Sequence, residues 1–252
     1  MNILAIGNSF SQDATAYLHQ MAEACGATAQ VANLYVPGCS LESHWKFVQN
    51  GDEPAYDLEE NGAKTGRKIS LRAALGLRRW DVITLQQCSP LCGVRSSYTP
   101  YLPLLCGFCR ALSPGSRLYL HETWAYETDS THSAFAQYGS SQTRMADQVQ
   151  EAYARIAAEL GLPCIPVGRV VRYFRESVPG YAVAQGGRRL TRDGYHLSIP
   201  LGRLLAALVW IEALAGRDVS GIGYVPPEAS EEEARCVPEL SEAVHWYMAQ
   251  SR

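Results

Sequence analysis

The sequence predicts an α/β protein, a three-layer α/β/α sandwich around a mostly parallel sheet of about five strands. Three observations predict it. Short apolar runs alternate with longer helical patterns from one end of the chain to the other, which is the signature of strand–helix–strand units. The 252 residues are 47% hydrophobic and 19% charged, enough to bury a large core without staples. No internal repeat or low-complexity linker interrupts the alternation, so residues 1–252 read as one domain.

Each element follows from its own pattern. Ile3 to Ile6 reads as the first strand and runs into Gly7-Asn8-Ser9. Ala14 to Cys25 reads as a helix stopped by Gly26. TAQVANLYV (28–36) reads as the second strand, ended by Pro37-Gly38. Residues 46–68 are polar and glycine-rich and read as an insertion. SLRAALGLRRW (70–80) is helical, and DVITLQ (81–86) is a short β-branched, buried strand. The helix in 100–112 stops at Pro114-Gly115, and RLYLHET (117–123) is the fourth strand. Residues 125–142 look irregular, a second insertion over one face. The clearest amphipathic helix is 141–161, followed by a short strand in PCIPVG (163–168). Residues 198–216 read as a helix with Ser198 as its N-cap and Pro200 in the first turn, and a last helix runs through 239–250.

Composition narrows the function classes. A net charge of −3, with only the short arginine pairs Arg78-Arg79 and Arg188-Arg189, argues against a nucleic-acid binder. No secretory signal is visible, and Leu204 to Ala215 carries Glu212 and is too short to span a bilayer, so the expectation is a cytoplasmic protein without a membrane partner. The eight cysteines read as packed thiols. Cys88, Cys92, Cys106 and Cys109 loosely imitate zinc-ligand spacing, but Cys106 and Cys109 sit in an apolar helical stretch. No histidine pair has ligand spacing, so neither metal nor cofactor is expected.

In parallel sheets a ligand site lies beyond the carboxyl ends of the strands. Ser9, Gly38, Gln86, Gln87 and Trp124 all fall just past strand ends. Near the other end of the chain, LTRDGYHLSIP places Asp193 and His196 three apart before a helix. A serine nucleophile needs a base to take its proton and a carboxylate to fix that base's tautomer. Alone, Asp-x-x-His is also what a surface loop before a helix would show.

Taken together, Gly7-Asn8-Ser9-Phe10 after the first strand, Gly38 after the second, a polar residue after the third and Asp193-x-x-His196 resemble the GDSL/SGNH hydrolase superfamily, a flavodoxin-like fold. GNSFSQDA, WDVITLQQCS, ETWAY and DGYHLS are similar to a bacterial branch of unknown function that is often compared with carbohydrate esterases. The resemblance implies Ser9 as nucleophile, His196 as general base and acid, and Asp193 as the orienting carboxylate. It implies the Ser9 and Gly38 N–H groups as oxyanion donors. The superfamily's Gly-x-Asn-Asp block is absent, and Gln86-Gln87-Cys88-Ser89 stands in its place, so Gln87 or Gln86 is the candidate third donor. Asn8 replaces the usual aspartate of the motif. Trp124, Trp45 and Tyr126 are candidate substrate-binding walls, since aromatic faces stack on sugar rings, and they could equally fill the core. Tyr195 reads as a packing support. The implied activity is serine-dependent hydrolysis of a small acyl ester, with an acetylated sugar as the expected partner. Acyl transfer by the same triad, and glycan or acyl-ligand binding without turnover, are the alternatives.

Overall fold

The structure, a computed structural model, describes residues 1–51 and 53–250. Its centre is one seven-stranded sheet. Five strands are parallel: β1 (Asn2–Gly7), β2 (Gln30–Tyr35), β5 (Val82–Leu85), β6 (Arg117–His121) and β7 (Cys164–Ile165). They lie in the order β2-β1-β5-β6-β7, the flavodoxin-like arrangement, which reverses direction between β1 and β5. The strands and parallel pairing match the sequence reading. Ile3, Leu4 and Ala5 on β1, and every residue of β5, are buried, as expected for strands covered on both faces.

Two further strands correct the count. β3 (Tyr56–Glu60) and β4 (Ala63–Ile69) form an antiparallel hairpin on the β2 edge, which lies, but for Ile69, in the segment 46–68 read as an insertion. A two-residue turn joins Glu60 to Ala63, with Asn61 at φ 51° and Gly62 at φ 82°. An Asn-Gly pair at positive φ is the chemistry of a tight hairpin. The strands themselves are charged because β4 is an exposed edge.

Helices cover both faces. The first helical stretch starts earlier than read and is broken in two, α1 (Ser9–Thr15) and α2 (Leu18–Ala24). These two contact α8 (Leu201–Ala215), which in turn contacts α9 (Glu231–Gln250). A second group is α3 (Leu41–Gln49), α4 (Leu71–Leu75) and α5 (Tyr101–Leu112). Next come α6 (Gln142–Leu160) and α7 (Val167–Ser177). Neither α3 nor α7 was read from sequence. Ser198 is not the N-cap of α8. Pro200 is, and Ser198 Oγ instead accepts the Gly202 N–H at 3.0 Å. α8 is buried nearly all round because α1, α2, α7 and α9 pack against it, which is why it is so apolar. Among the described residues no helix is long and apolar enough to cross a membrane.

Candidate active site

The carboxyl ends of β1, β2 and β5 converge beside the point where the strand order reverses. Asn8 caps α1. Its Oδ1 accepts the Phe10 N–H at 3.0 Å, and Ser9 becomes the first helical residue. Gly7 is required by space: a Cβ there would lie 2.5 Å from Ser11 Oγ and 3.0 Å from the Gln86 side chain. Gly38 is required by conformation. It has φ +60°, and a Cβ there would meet nothing within 4 Å.

The loop 192–197 comes over α1 from the other end of the chain. His196 Nε2 lies 2.8 Å from Ser9 Oγ, and His196 Nδ1 lies 2.6 Å from Asp193 Oδ2. Asp193 Oδ1 accepts the backbone N–H groups of Tyr195 and His196 at 3.1 and 2.8 Å, which folds the turn onto its own carboxylate. A carboxylate against Nδ1 keeps the neutral ring's proton there and leaves the Nε2 lone pair facing Ser9. Burial pushes the Asp193 carboxyl up. The hydrogen bonds from the His196 ring and the two backbone N–H groups outweigh burial and hold it below its ordinary range. The His196 side chain is 20% exposed and that of Asp193 38%, so the arrangement is open to solvent.

The two backbone groups read as oxyanion donors make no hydrogen bond within the described residues. Among those residues neither the Ser9 N–H nor the Gly38 N–H finds an acceptor. The glutamines behave otherwise, and this corrects the sequence reading. Gln87 is fully buried. Its Oε1 accepts the N–H groups of Leu41 at 3.1 Å and Cys88 at 2.9 Å. Its Nε2 donates to the Ser97 carbonyl at 3.1 Å and to Ser97 Oγ at 3.0 Å. Gln86 Nε2 donates to Asn8 Oδ1 at 2.9 Å, and its Oε1 takes the proton of His121 Nδ1 at 2.6 Å. Burial pushes His121 down to about 3, so the ring stays neutral. Both amides are spent on the scaffold and neither is free for an oxyanion.

Asn8 is the centre of that scaffold. Its Nδ2 donates to the Cys39 carbonyl at 3.0 Å and so ties the Ser9 turn to the Gly38 loop. An ionised aspartate could not make this bond, which gives the departure from the superfamily motif a physical reason. Sequence reading missed this role, though an amide at a strand end beside a glycine loop is its signal.

Two of the three candidate aromatic walls are also corrected. Trp124 is fully buried. It stacks on Phe10 with centroids 4.2 Å apart and planes 3° off parallel, and its Nε1 donates to the Tyr195 carbonyl at 2.7 Å. It packs beneath Phe10 and Tyr195, the chain neighbours of Ser9 and His196, instead of facing a ligand. Tyr126 is buried as well, its hydroxyl donating to Ser89 Oγ at 2.9 Å and its ring edge-on to Tyr195. Trp45 sits half-buried on α3, packed against the core. Tyr195 is the packing support expected, 4.3 Å from His196 between ring centroids.

The irregular segment 125–142 contributes His132 to the surroundings of Tyr195. The His132 ring packs edge-on to Tyr195 at 4.8 Å, and its Nδ1 accepts the Ala134 N–H, so the neutral ring carries its proton on Nε2. Burial and the neighbouring His196 charge lower its affinity for a second proton. The same segment holds the His196 loop, with Glu127 N–H donating to the Gly194 carbonyl at 2.7 Å and Arg189 pairing with Asp129. The arginine pair 188–189 is engaged with carboxylates: Arg188 donates to Glu232 at 2.9 Å. The cysteines of the zinc-like spacing are free thiols, and Cys106 and Cys109 lie on the buried face of α5. Among the described residues the grouping of three or more potential metal ligands is Glu212, Asp218 and His245, on α8, α9 and their connection. His245 Nδ1 already lies 2.5 Å from Glu212 Oε1 there, and Asp218 Oδ1 accepts from Ser220.

Comparison with known proteins places the chain in a family. The profile of a domain of unknown function, DUF4886, matches residues 2–242. A DUF4886 family protein from Bacteroides uniformis, known by crystal structure, is 35% identical with a TM-score of 0.86, over 100% of this chain and 95% of that one. A protein from Slackia heliotrinireducens assigned as an SGNH hydrolase is 26% identical with a TM-score of 0.55, over 85% of this chain and 98% of that one. The acetylxylan esterase Axe2 from Geobacillus stearothermophilus shares the fold at 13% identity and a TM-score of 0.55, over 84% of this chain and 93% of that one. No curated protein matches the chain. The resemblance to the SGNH hydrolases seen in the sequence is thus shared by its structural neighbours.

Proposed function

The chain belongs to the DUF4886 family, and we propose that within it this protein is a serine esterase of the SGNH type, acting through Ser9, His196 and Asp193. The observation that carries the reading is the unbroken line of contacts from Ser9 Oγ through His196 to Asp193, at 2.8 and 2.6 Å. Groups this close need no rearrangement to pass a proton.

The chemistry follows from the contacts. His196 Nε2 takes the Ser9 hydroxyl proton as Oγ attacks the ester carbonyl. The imidazolium is stabilised by Asp193, which stays ionised. The oxyanion forms between the free N–H groups of Ser9 and Gly38. His196 then gives the proton to the departing alcohol, and water repeats the cycle on the acyl-enzyme. With both glutamines engaged, the hole relies on two backbone donors. One missing donor costs about 10²–10³ in rate, which slows such an enzyme without removing its reaction.

The acyl group we assign is small, with acetyl on a carbohydrate as the class, by analogy with the acetylxylan esterase that shares the fold. Trp45 and His132 are the ring-bearing candidates for contact with the alcohol. The reading treats residues 1–252 as one domain.

The test is a burst assay with p-nitrophenyl acetate on wild type, Ser9→Ala and His196→Ala, with intact mass measurement of the trapped acyl-enzyme. The expected result is turnover in wild type, an acetyl adduct on Ser9, and loss of both on either substitution. Full activity in Ser9→Ala would end the reading.

A further inference from the structure

We infer that Asp13 is a positioning residue, a buried carboxylate on α1 that sets the Ser9–His196 distance by holding both ends of the Asp193–His196 turn; this rests on the esterase reading above. Ser9 and Asp13 are one helical turn apart, so their side chains lie on the same side of α1. The Asp13 side chain is fully buried. Its Oδ2 accepts the Leu197 N–H at 2.9 Å and Arg192 Nη1 at 3.0 Å, and its Oδ1 accepts Arg192 Nη1 at 3.0 Å and Arg203 Nε at 2.9 Å.

The placement of those donors carries the argument. Arg192 directly precedes Asp193, and Leu197 directly follows His196. The turn between them is closed on itself, since Arg192 N–H donates to the His196 carbonyl at 2.9 Å and Arg192 Nη1 also donates to the Leu197 carbonyl. One carboxylate therefore grips a closed six-residue loop at both of its ends, four residues along the same helix from the nucleophile. A buried ion cluster is a poor source of stability, because desolvation offsets most of the attraction. What it does supply is direction. Several convergent bonds fix the loop against α1 where apolar packing would let it slide.

The experiment compares wild type, Asp13→Asn and Glu212→Gln, using active-site-titrated kcat and KM on p-nitrophenyl acetate and the rate of Ser9 labelling by a fluorophosphonate. Asparagine matches the shape of aspartate. Whichever way its amide turns, however, an NH₂ group meets a donor, Arg192 and Arg203 on one side or Arg192 and Leu197 on the other. A displaced base of about 1 Å costs on the order of 10² in rate, so kcat and labelling should fall about 10²-fold with KM nearly unchanged. In a His196→Ala background the same substitution should cost nothing further, because the group being positioned is gone. Glu212→Gln removes another buried carboxylate, one tied to His245 on α9. It should lower Tm and leave kcat per titrated site unchanged.

Asp13→Asn overturns the inference if kcat per titrated site is kept, or if the loss is the same with and without His196. Should Asp13→Asn yield no folded protein, Arg192→Lys decides by the same criteria, since it keeps the charge and loses the guanidinium fork. Retained turnover in Ser9→Ala would sink the esterase reading itself. Ser9 labelling in wild type with undiminished Asp13→Asn would sink the clamp alone. A wild type that neither turns over nor labels would sink both.

Discussion

Replacing Asn8 by aspartate restores the residue that the superfamily motif carries, and the structure requires that it do harm. Asn8 is 2% exposed. Its Oδ1 accepts from Phe10 N–H and Gln86 Nε2, and a carboxylate would keep both bonds. Its Nδ2 donates to the Cys39 carbonyl at 3.0 Å, and a carboxylate cannot. A buried acceptor left without a partner costs about 1–3 kcal/mol, partly offset by the two strengthened bonds to a charged acceptor. A net loss of about 1–2 kcal/mol corresponds to a Tm lower by roughly 2–8 °C for a chain of this size. The freed carbonyl belongs to the loop that carries the Gly38 N–H. Full loss of an oxyanion donor costs about 10²–10³, and a loosened donor costs less, so kcat should fall roughly 10–10²-fold. The defect should depend on pH. Burial raises the introduced carboxyl above its ordinary value, and in its protonated form it can donate to Cys39 again. A group whose folded value is raised stabilises fully below its unfolded value and loses that contribution as pH rises through the folded one. The gap to wild type should therefore be small near pH 4 and wide at pH 8. Thermal unfolding and burst-titrated kcat at both pH values measure it. A variant as stable and as active as wild type at pH 8 would refute the role given to the Asn8 amide.

Three other outcomes follow from the same geometry. Asp193→Asn should leave Tm nearly unchanged and lower kcat by roughly 10³–10⁴, because the amide no longer selects the Nδ1–H tautomer of His196; burst kinetics would show it, and a loss below tenfold would contradict the orienting role. Gln87→Leu strips partners from the Leu41 and Cys88 N–H groups and the Ser97 carbonyl, and should cost about 3–6 kcal/mol of stability. Its kcat per titrated site should change little; a drop of about 10²–10³ without a change in Tm would reinstate Gln87 as an oxyanion donor. Glu122 is fully buried, and burial pushes its carboxyl up to about 7 against the pull of Arg169. Its folded value is the higher one, so its contribution is complete below the ordinary carboxyl value and is lost as pH rises through about 7. Stability should fall from pH 5 to pH 8, and Glu122→Gln should flatten that slope in denaturant titrations.

The two ends of the candidate site, which the structure brings together, were legible because each is a short-range pattern. Ser9 follows a buried strand directly, and Asp193 and His196 are three residues apart in one turn. The five parallel strands were legible for the same reason, since each is a brief β-branched or apolar run. The hairpin β3–β4 was not, because its outer strand is charged and its signal is the single dipeptide Asn61-Gly62. The middle of the site failed for a different reason. Gln86 and Gln87 sit where an oxyanion donor belongs, but their partners His121, Ser97 and Leu41 are 35, 10 and 46 residues away. Sequence position gave the strand end and could not give the competition for each amide. Trp124 and Tyr126 were misread in the same way. An aromatic residue past a strand end can face the ligand or the layer beneath, and Phe10 and Ser89 decide that by packing and hydrogen bonding.

What the sequence did not reveal is that α1 organises the site. At seven residues it is too short to be stable alone. It is held by the Phe10–Trp124 stack, by Asn8 to Cys39 and Gln86, by Ser11 Oγ at 2.7 Å from Asn33 Oδ1, and by Asp13 to the His196 loop. Asn33 continues to Glu59 on the hairpin at 2.8 Å. The contacts that keep α1 folded are therefore the ones that set Ser9 against its neighbours. Substitutions along Asn8 to Asp13 should move stability and kcat together. Substitutions on the outer faces of α6 or α9, which touch none of these partners, should move stability alone. Such a split would mark GNSFSQDA as one mechanical unit in which Ser9 is the reacting atom's carrier and the other residues are its mounting.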